Sequence, residues 1–157
     1  MDSRSEKLLA HILQTTRIAA LGTLRDGSPQ VSMVAFVSAQ DFSSFFIHVS
    51  RLAQHTLDMQ KDKRVSLLIT ESDDGRVDPQ TLVRISIRAL AELIHPGEPG
   101  YTPVKAMYLD RFPESRPLFD LEDFEFWRIV PKGARYIAGF ARAYNLTPDA
   151  LQIAAER

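Results

Sequence analysis

The sequence predicts a mainly β protein, a small antiparallel barrel with helices at its ends. Two observations predict it. Short apolar runs of strand length recur from Ile18 to Val130. Turn signals of a few residues separate most of them, as at Arg25-Asp26-Gly27-Ser28. Consecutive strands joined this way pair antiparallel, whereas a βαβ array needs a helix between each pair. Closing the sheet removes its exposed edges.

The elements follow in order. Residues 3–16 carry Leu8, Leu9, Ile12 and Leu13 on one helical face, with Ser3 or Ser5 as cap. Ile18 to Leu24 is a buried strand, and Asp26-Gly27 supplies the positive φ angles of a hairpin. Gln30 to Val37 returns as the second strand, and Phe45 to Val49 is the third. Leu52 to Lys61 is a helix, and Val65 to Thr70 is the fourth strand. Residues 71–80 form a polar loop, and Leu82 to Ile94 is the fifth strand. Thr102-Pro103 opens a short helix that ends near Arg111. Phe124 to Val130 is the sixth strand, stopped by Pro131, and Tyr136 to Phe140 is a further short strand or a loop. Thr147-Pro148 starts a C-terminal helix.

Composition narrows the function. A chain of 157 residues is expected to be one domain, 1–157, burying roughly 70% of its extended surface. The apolar share is 45% and the charged share 25%, ordinary for a globular protein. Net charge −1 gives no electrostatic footprint for nucleic acid. No apolar run reaches the roughly 20 residues of a membrane helix, and the N-terminus lacks a signal-peptide core, so a cytoplasmic protein is expected. With no cysteine, thiol catalysis and disulfides are excluded. His11, His48, His55 and His95 lack metal-ligand spacing, so no metal site is expected. Neither a Gly-x-Ser-x-Gly elbow nor a Walker loop is present.

The segment Phe45 to Thr56 is the most informative. A strand runs into a helix start carrying Ser50, Arg51, Gln54, His55 and Thr56. Free N–H groups and partial positive charge at a helix start suit a phosphate, with Ser50 as the expected N-cap. On the fifth strand Arg84, Ser86 and Arg88 share one face and Ile85, Ile87 and Ala89 the other. Two arginines on one face make a candidate anion site beside the plainer reading of a half-solvated strand. Trp127 is either a core aromatic or the wall of a flat ligand's pocket. Gly139 marks a bulge or a close backbone approach.

These motifs, in this order, resemble the pyridoxamine 5′-phosphate oxidase-like FMN-binding split barrels, in the branch that includes haem-utilisation proteins. The resemblance runs from Leu21 to Ala143. It is carried by Leu21-Gly22-Thr23-Leu24, by Asp26-Gly27-x-Pro29 with Val31 to Val34, by Ser50 to Thr56 with Arg64 to Leu68, and by Arg135 to Ala143. It implies a six-stranded antiparallel Greek-key split barrel, a homodimer, and FMN in the dimer groove. It implies cofactor contacts by Ser32, Met33, Ser50, Arg51, Gln54, His55, Thr56 and Arg84, with Trp127, Gly139 and Phe140 toward the flavin edge. The vitamin B6 oxidases carry an arginine and a lysine where this chain has Ser32 and Val37, which argues against pyridoxamine phosphate as substrate. Haem-degrading relatives use a histidine in a C-terminal domain or tail, and none follows His95 here. The expectation is therefore a flavin-dependent oxidoreductase of unknown substrate. The alternatives are a non-catalytic flavin-binding or storage protein, or a haem-binding or haem-degrading split barrel.

Overall fold

A computed structural model describes residues 1–157. Helix α1 spans Ser3–Thr15 and is followed by the hairpin of β1, Ile18–Arg25, and β2, Ser28–Ala35. Asp26 and Gly27 both take positive φ in the turn, as a tight right-twisted hairpin requires. Next come β3, Val37–Ser38, and β4, Phe45–Ser50, then α2, Gln54–Lys61, and β5, Arg64–Thr70. A 3-10 turn at Pro79–Thr81 leads into β6, Arg84–Ile94. Helix α3, Tyr101–Arg111, continues through a 3-10 segment, Pro113–Asp120, to β7, Phe124–Ile137. The chain finishes with β8, Ala143–Leu146, and α4, Pro148–Ala155.

All eight strands belong to one antiparallel sheet in the order β2-β1-β5-β6-β7-β4-β3, with β8 on β7. The sheet curls because β2 and β3 are one length of chain bent at Phe36. That bend links the two ends of the strand order, giving a split barrel. The expected strand count of six is corrected to eight. Phe36 divides the expected second strand, and β8 is additional.

The sixth strand also does not stop at Pro131. It runs on to Ile137, and the register slips between Arg88 and Ala89, which face Gly133 and Pro131. The bulge takes up the residue between them and accommodates a proline that cannot donate to the ladder. The five residues 138–142 turn β7 into β8, with Gly139 at φ 105° and Ala141 at φ 58°.

The barrel interior is filled by alternate residues of each strand, among them Leu21, Ile47, Leu67, Ile69, Ile85, Ile87, Ile129 and Tyr136. Helix α1 closes one end with Leu9, Ile12 and Leu13, and α4 adds Leu151 and Ala154. Asp2, not a serine, caps α1 by accepting the Ser5 N–H. A second apolar cluster lies where α3 covers the outer side of β3, β4 and β7, through Val104, Tyr108 and Phe112 on Val37, Phe46 and Phe126. No helix is long and apolar enough to cross a membrane.

Candidate functional site

The strand-to-helix segment is built differently from the expected cap. Ser50 is the last residue of β4, and α2 begins four residues later at Gln54, with Ala53 at its N-cap. Ser50 therefore does not cap the helix. Its hydroxyl donates to Asp123 Oδ2 at 2.9 Å and accepts the Leu52 N–H at 3.1 Å. Arg51 turns away, its backbone N–H on Asp123 O at 2.6 Å and its Nη2 on Glu122 O at 2.9 Å. Thr56 is fully buried and donates to Ser50 O at 2.7 Å, pinning helix to strand.

Gln54 is likewise committed. Its amide donates to Asp58 Oδ1 at 3.3 Å. Asp58 also takes Arg25 in a bidentate pair at 3.0 and 3.2 Å and the Thr23 hydroxyl at 2.9 Å. Arg25 beside it holds the Asp58 carboxyl down to about 2. This ionic knot round the buried Asp58 fastens α2 to β1, a role the sequence did not reveal because Asp58 is over 30 residues from Thr23 and Arg25.

What stays open at the α2 start is a small cavity of about 220 Å³, lined by Met33, His48, Ser50, His55 and Phe124 among others. His55 Nδ1 lies 3.2 Å from Ser32 Oγ, while its Nε2 is buried without a partner. His48 is buried in an aromatic box, stacked on Phe119 at 4.1 Å and flanked by Phe126 at 4.6 Å, with Nδ1 unpartnered. Burial chiefly, and the nearby Lys105 charge, push His48 down to about 4. Burial also lowers His55. Both imidazoles are therefore neutral at pH 7. No backbone acceptor takes the Gln54 or His55 N–H, so the first turn of α2 retains free donors.

Beside this cavity, across Met33, lies the outer face of the sheet. In one register row Met33 faces Ala20, Leu68, Ser86, Arg135 and Asn145 in turn. The β2–β1–β5 half is apolar and open, with Val31 77%, Met33 68%, Ile18 52% and Leu68 44% exposed. A shallow groove of about 450 Å³ follows it. The β6–β7 half is cationic. Arg84, Arg88 and Arg135 lie on it, and none is in an ion pair. Arg84 Nη1 holds the carbonyls of Gln80 and Leu82, and Arg135 donates to Asn145. Arg88 lies over Gly133, where a Cβ would come within 2.6 Å of its Nη2.

The sequence-predicted residues thus fall into two groups. Ser32, Met33, Ser50, Gln54, His55 and Thr56 gather round the α2 start, with Arg51 at its edge. Arg84 is near the hairpin of Gly139 and the exposed Phe140, three strands from β2 or roughly 14 Å away. Trp127 joins neither group. It is 3% exposed in the barrel core, its Nε1 on Glu125 Oε1 at 3.1 Å. Ile18, Val31, Leu68 and Arg135 are additions: in sequence Ile18 and Leu68 read only as strand residues, and Val31 and Arg135 otherwise only as carriers of the resemblance.

The outer sheet face of this split barrel is thus apolar on one half and cationic on the other, with a small histidine-lined cavity beside it. Residues 5–138 match the pyridoxamine 5′-phosphate oxidase family, and the chain belongs to it. Haem oxygenase HutZ of Vibrio cholerae is 26% identical over 153 residues, 96% of this chain and 86% of that protein. The chloroplastic non-canonical haem oxygenase HOZ of Arabidopsis thaliana is 36% identical over 119 residues. That match takes in 76% of this chain but only 35% of the plant protein. The solved structure of a haem-binding protein from Mycobacterium smegmatis superposes with a TM-score of 0.84 over 98% of this chain and 62% of that one, at 23% identity. The expectation of a flavin oxidoreductase is therefore supported only at the level of the family. The haem alternative is what the named relatives favour.

Proposed function

We propose that the protein binds haem, as a cytoplasmic homodimer, on the outer face of β2–β1–β5–β6. The carrying observation is the amphipathic face itself. A porphyrin offers a broad apolar plane and two carboxylates. The face offers Ile18, Val31, Met33 and Leu68 beside three arginines without acidic partners. Such exposed apolar area calls for cover, and a second copy placed face to face would supply it and enclose the macrocycle. The names of the Vibrio and Arabidopsis relatives support the same ligand.

The face suits the macrocycle and its propionates. It carries no imidazole, because His48 and His55 border the smaller cavity, His11 is on α1 and His95 follows β6. The proposal is accordingly binding, and no oxygenase step is derived from it.

The flavin reading keeps one observation of its own. Free N–H groups at the α2 start beside Ser32 and His55 could hold a phosphate. Titration of the purified protein with haemin and with FMN separates the two. The haem reading expects a Soret shift with micromolar or tighter affinity. Exchanging Arg88 and Arg135 for alanine should weaken it about tenfold per lost charge-assisted contact. Tight FMN binding without haem binding would overturn it in favour of flavin.

A further inference from the structure

Away from that face, a cavity of about 280 Å³ opens where the end of α1 meets β3 and the last turn of α3. Its floor is apolar, from Leu13, Phe36, Phe42 and Met107, and Arg111 forms part of its wall. Arg111 donates through Nη1 to Gln14 O at 2.6 Å and through Nη2 to Thr16 O at 2.8 Å. Its Nε is buried and has no partner. Neither Arg111 nor its neighbour Arg17 is in an ion pair. Arg17 lies over the Phe112 ring at 5.2 Å.

Two guanidinium groups therefore share one corner with no carboxylate paired to either. The carbonyls that end α1 offset part of the Arg111 charge. Nη1 and Nη2 each keep a second N–H. A guanidinium without a carboxylate partner beside apolar surface is costly, and an anion in the cavity would relieve that defect. The cation stands beside an apolar floor, so an ion with no hydrocarbon part would leave that floor uncovered. The volume is at the lower edge of the roughly 300–1,000 Å³ usual for ligand pockets, so the apolar part must be short. Asp110 on the rim disfavours a second negative charge. Burial, and then the Arg17 charge, lower the Arg111 pKa.

We infer that this cavity is a second binding site, for a small monocarboxylate with a short aliphatic or aromatic tail. Calorimetric titration of the full chain at pH 7 with octanoate and with octanol tests it. Octanoate is expected to bind once per chain with Kd below about 1 mM, and octanol at least about tenfold more weakly. Arg17→Gln, an exposed substitution, should weaken octanoate about threefold or more while leaving octanol unchanged. Met107→Trp should fill the cavity and abolish binding with Arg111 intact. If that variant unfolds by circular dichroism, Ala39→Leu takes its place on the same wall. A Met33→Asp/Leu68→Arg variant should bind octanoate like the parent, since the outer sheet face is elsewhere. Equal affinity for acid and alcohol, no binding of either, or binding lost only in the Met33→Asp/Leu68→Arg variant would each overturn the assignment.

Discussion

Asp58 shows how much one side chain does here. It is 2% exposed and is satisfied by Arg25, Thr23 and Gln54. Arg25, Thr23 and Gln54 together hold its carboxyl down to about 2, below the ordinary 3.8. A depressed acid contributes stability that is complete above the unfolded value and lost as pH falls through the folded one. Asp58→Asn is expected to cost about 1–3 kcal/mol at pH 7 and to flatten the loss of melting temperature between about pH 4 and 2. Unchanged melting at pH 7 would remove Asp58 from the fastening of α2. His48 acts at a higher pH. Burial and then Lys105 lower it from 6.5 to about 4, so the unfolded chain binds the extra proton first. Its contribution is complete above about pH 6.5 and lost as pH falls to about 4. His48→Phe keeps the aromatic box with Tyr108, Phe119, Phe124 and Phe126 and removes the titration. Its melting temperature should gain on the parent's at pH 5 relative to pH 8, and a constant difference across that range would refute the burial argument.

At the scale of elements, period decided what could be read. β6 alternates strictly, so Arg84, Ser86 and Arg88 could be put on one face from sequence, and Ile85 and Ile87 are indeed fully buried on the other. Pro131 predicts the end of β7, since a proline ordinarily ends a strand, and only the bulge opposite Arg88 and Ala89 reveals why the strand runs on. Ser50 has the chemistry of a cap and predicts the α2 start, but the strand still holds it. The fit of β1 on β5 rests on contacts between distant segments, which no local pattern announces. A Cβ on Gly22 would lie 2.5 Å from Ser66 Oγ and at an ordinary 3.7 Å from Ser66 Cβ. Gly22→Ala should therefore turn the Ser66 hydroxyl to another rotamer at a cost of about 1 kcal/mol or less, and Ser66→Ala in the same chain should recover most of that loss. Chemical denaturation of the two single variants and the double variant measures the coupling. Additive effects would mean that Gly22 answers to something other than Ser66.

For the whole molecule, the barrel was legible and its outer face was not. Ile18, Val31, Met33 and Leu68 look like core residues in sequence, and an apolar side chain on the outer face of a sheet has the same chemistry as one on the inner face. The two kinds separate only once the register row through Met33, Ala20 and Leu68 is known. That row also explains why the candidate site comes in two groups. Two strands, β1 and β5, lie between Ser32 and Arg84 within one chain, whereas the proposed face-to-face pair related by a two-fold axis would bring one protomer's β2 half toward its partner's cationic half. Sedimentation should therefore find a dimer at micromolar concentration. Met33→Asp with Leu68→Arg should make it monomeric while keeping the circular dichroism of the parent, because both side chains point out of the barrel and surface changes cost little, about 0.5 kcal/mol or less, within a monomer. Haem binding should fall in the same variant, since the macrocycle loses both its apolar floor and the second copy's cover. A variant that stays dimeric and keeps its haem affinity would place both the dimer and the ligand on another face. A parent that is monomeric yet binds haem tightly would break the link between them.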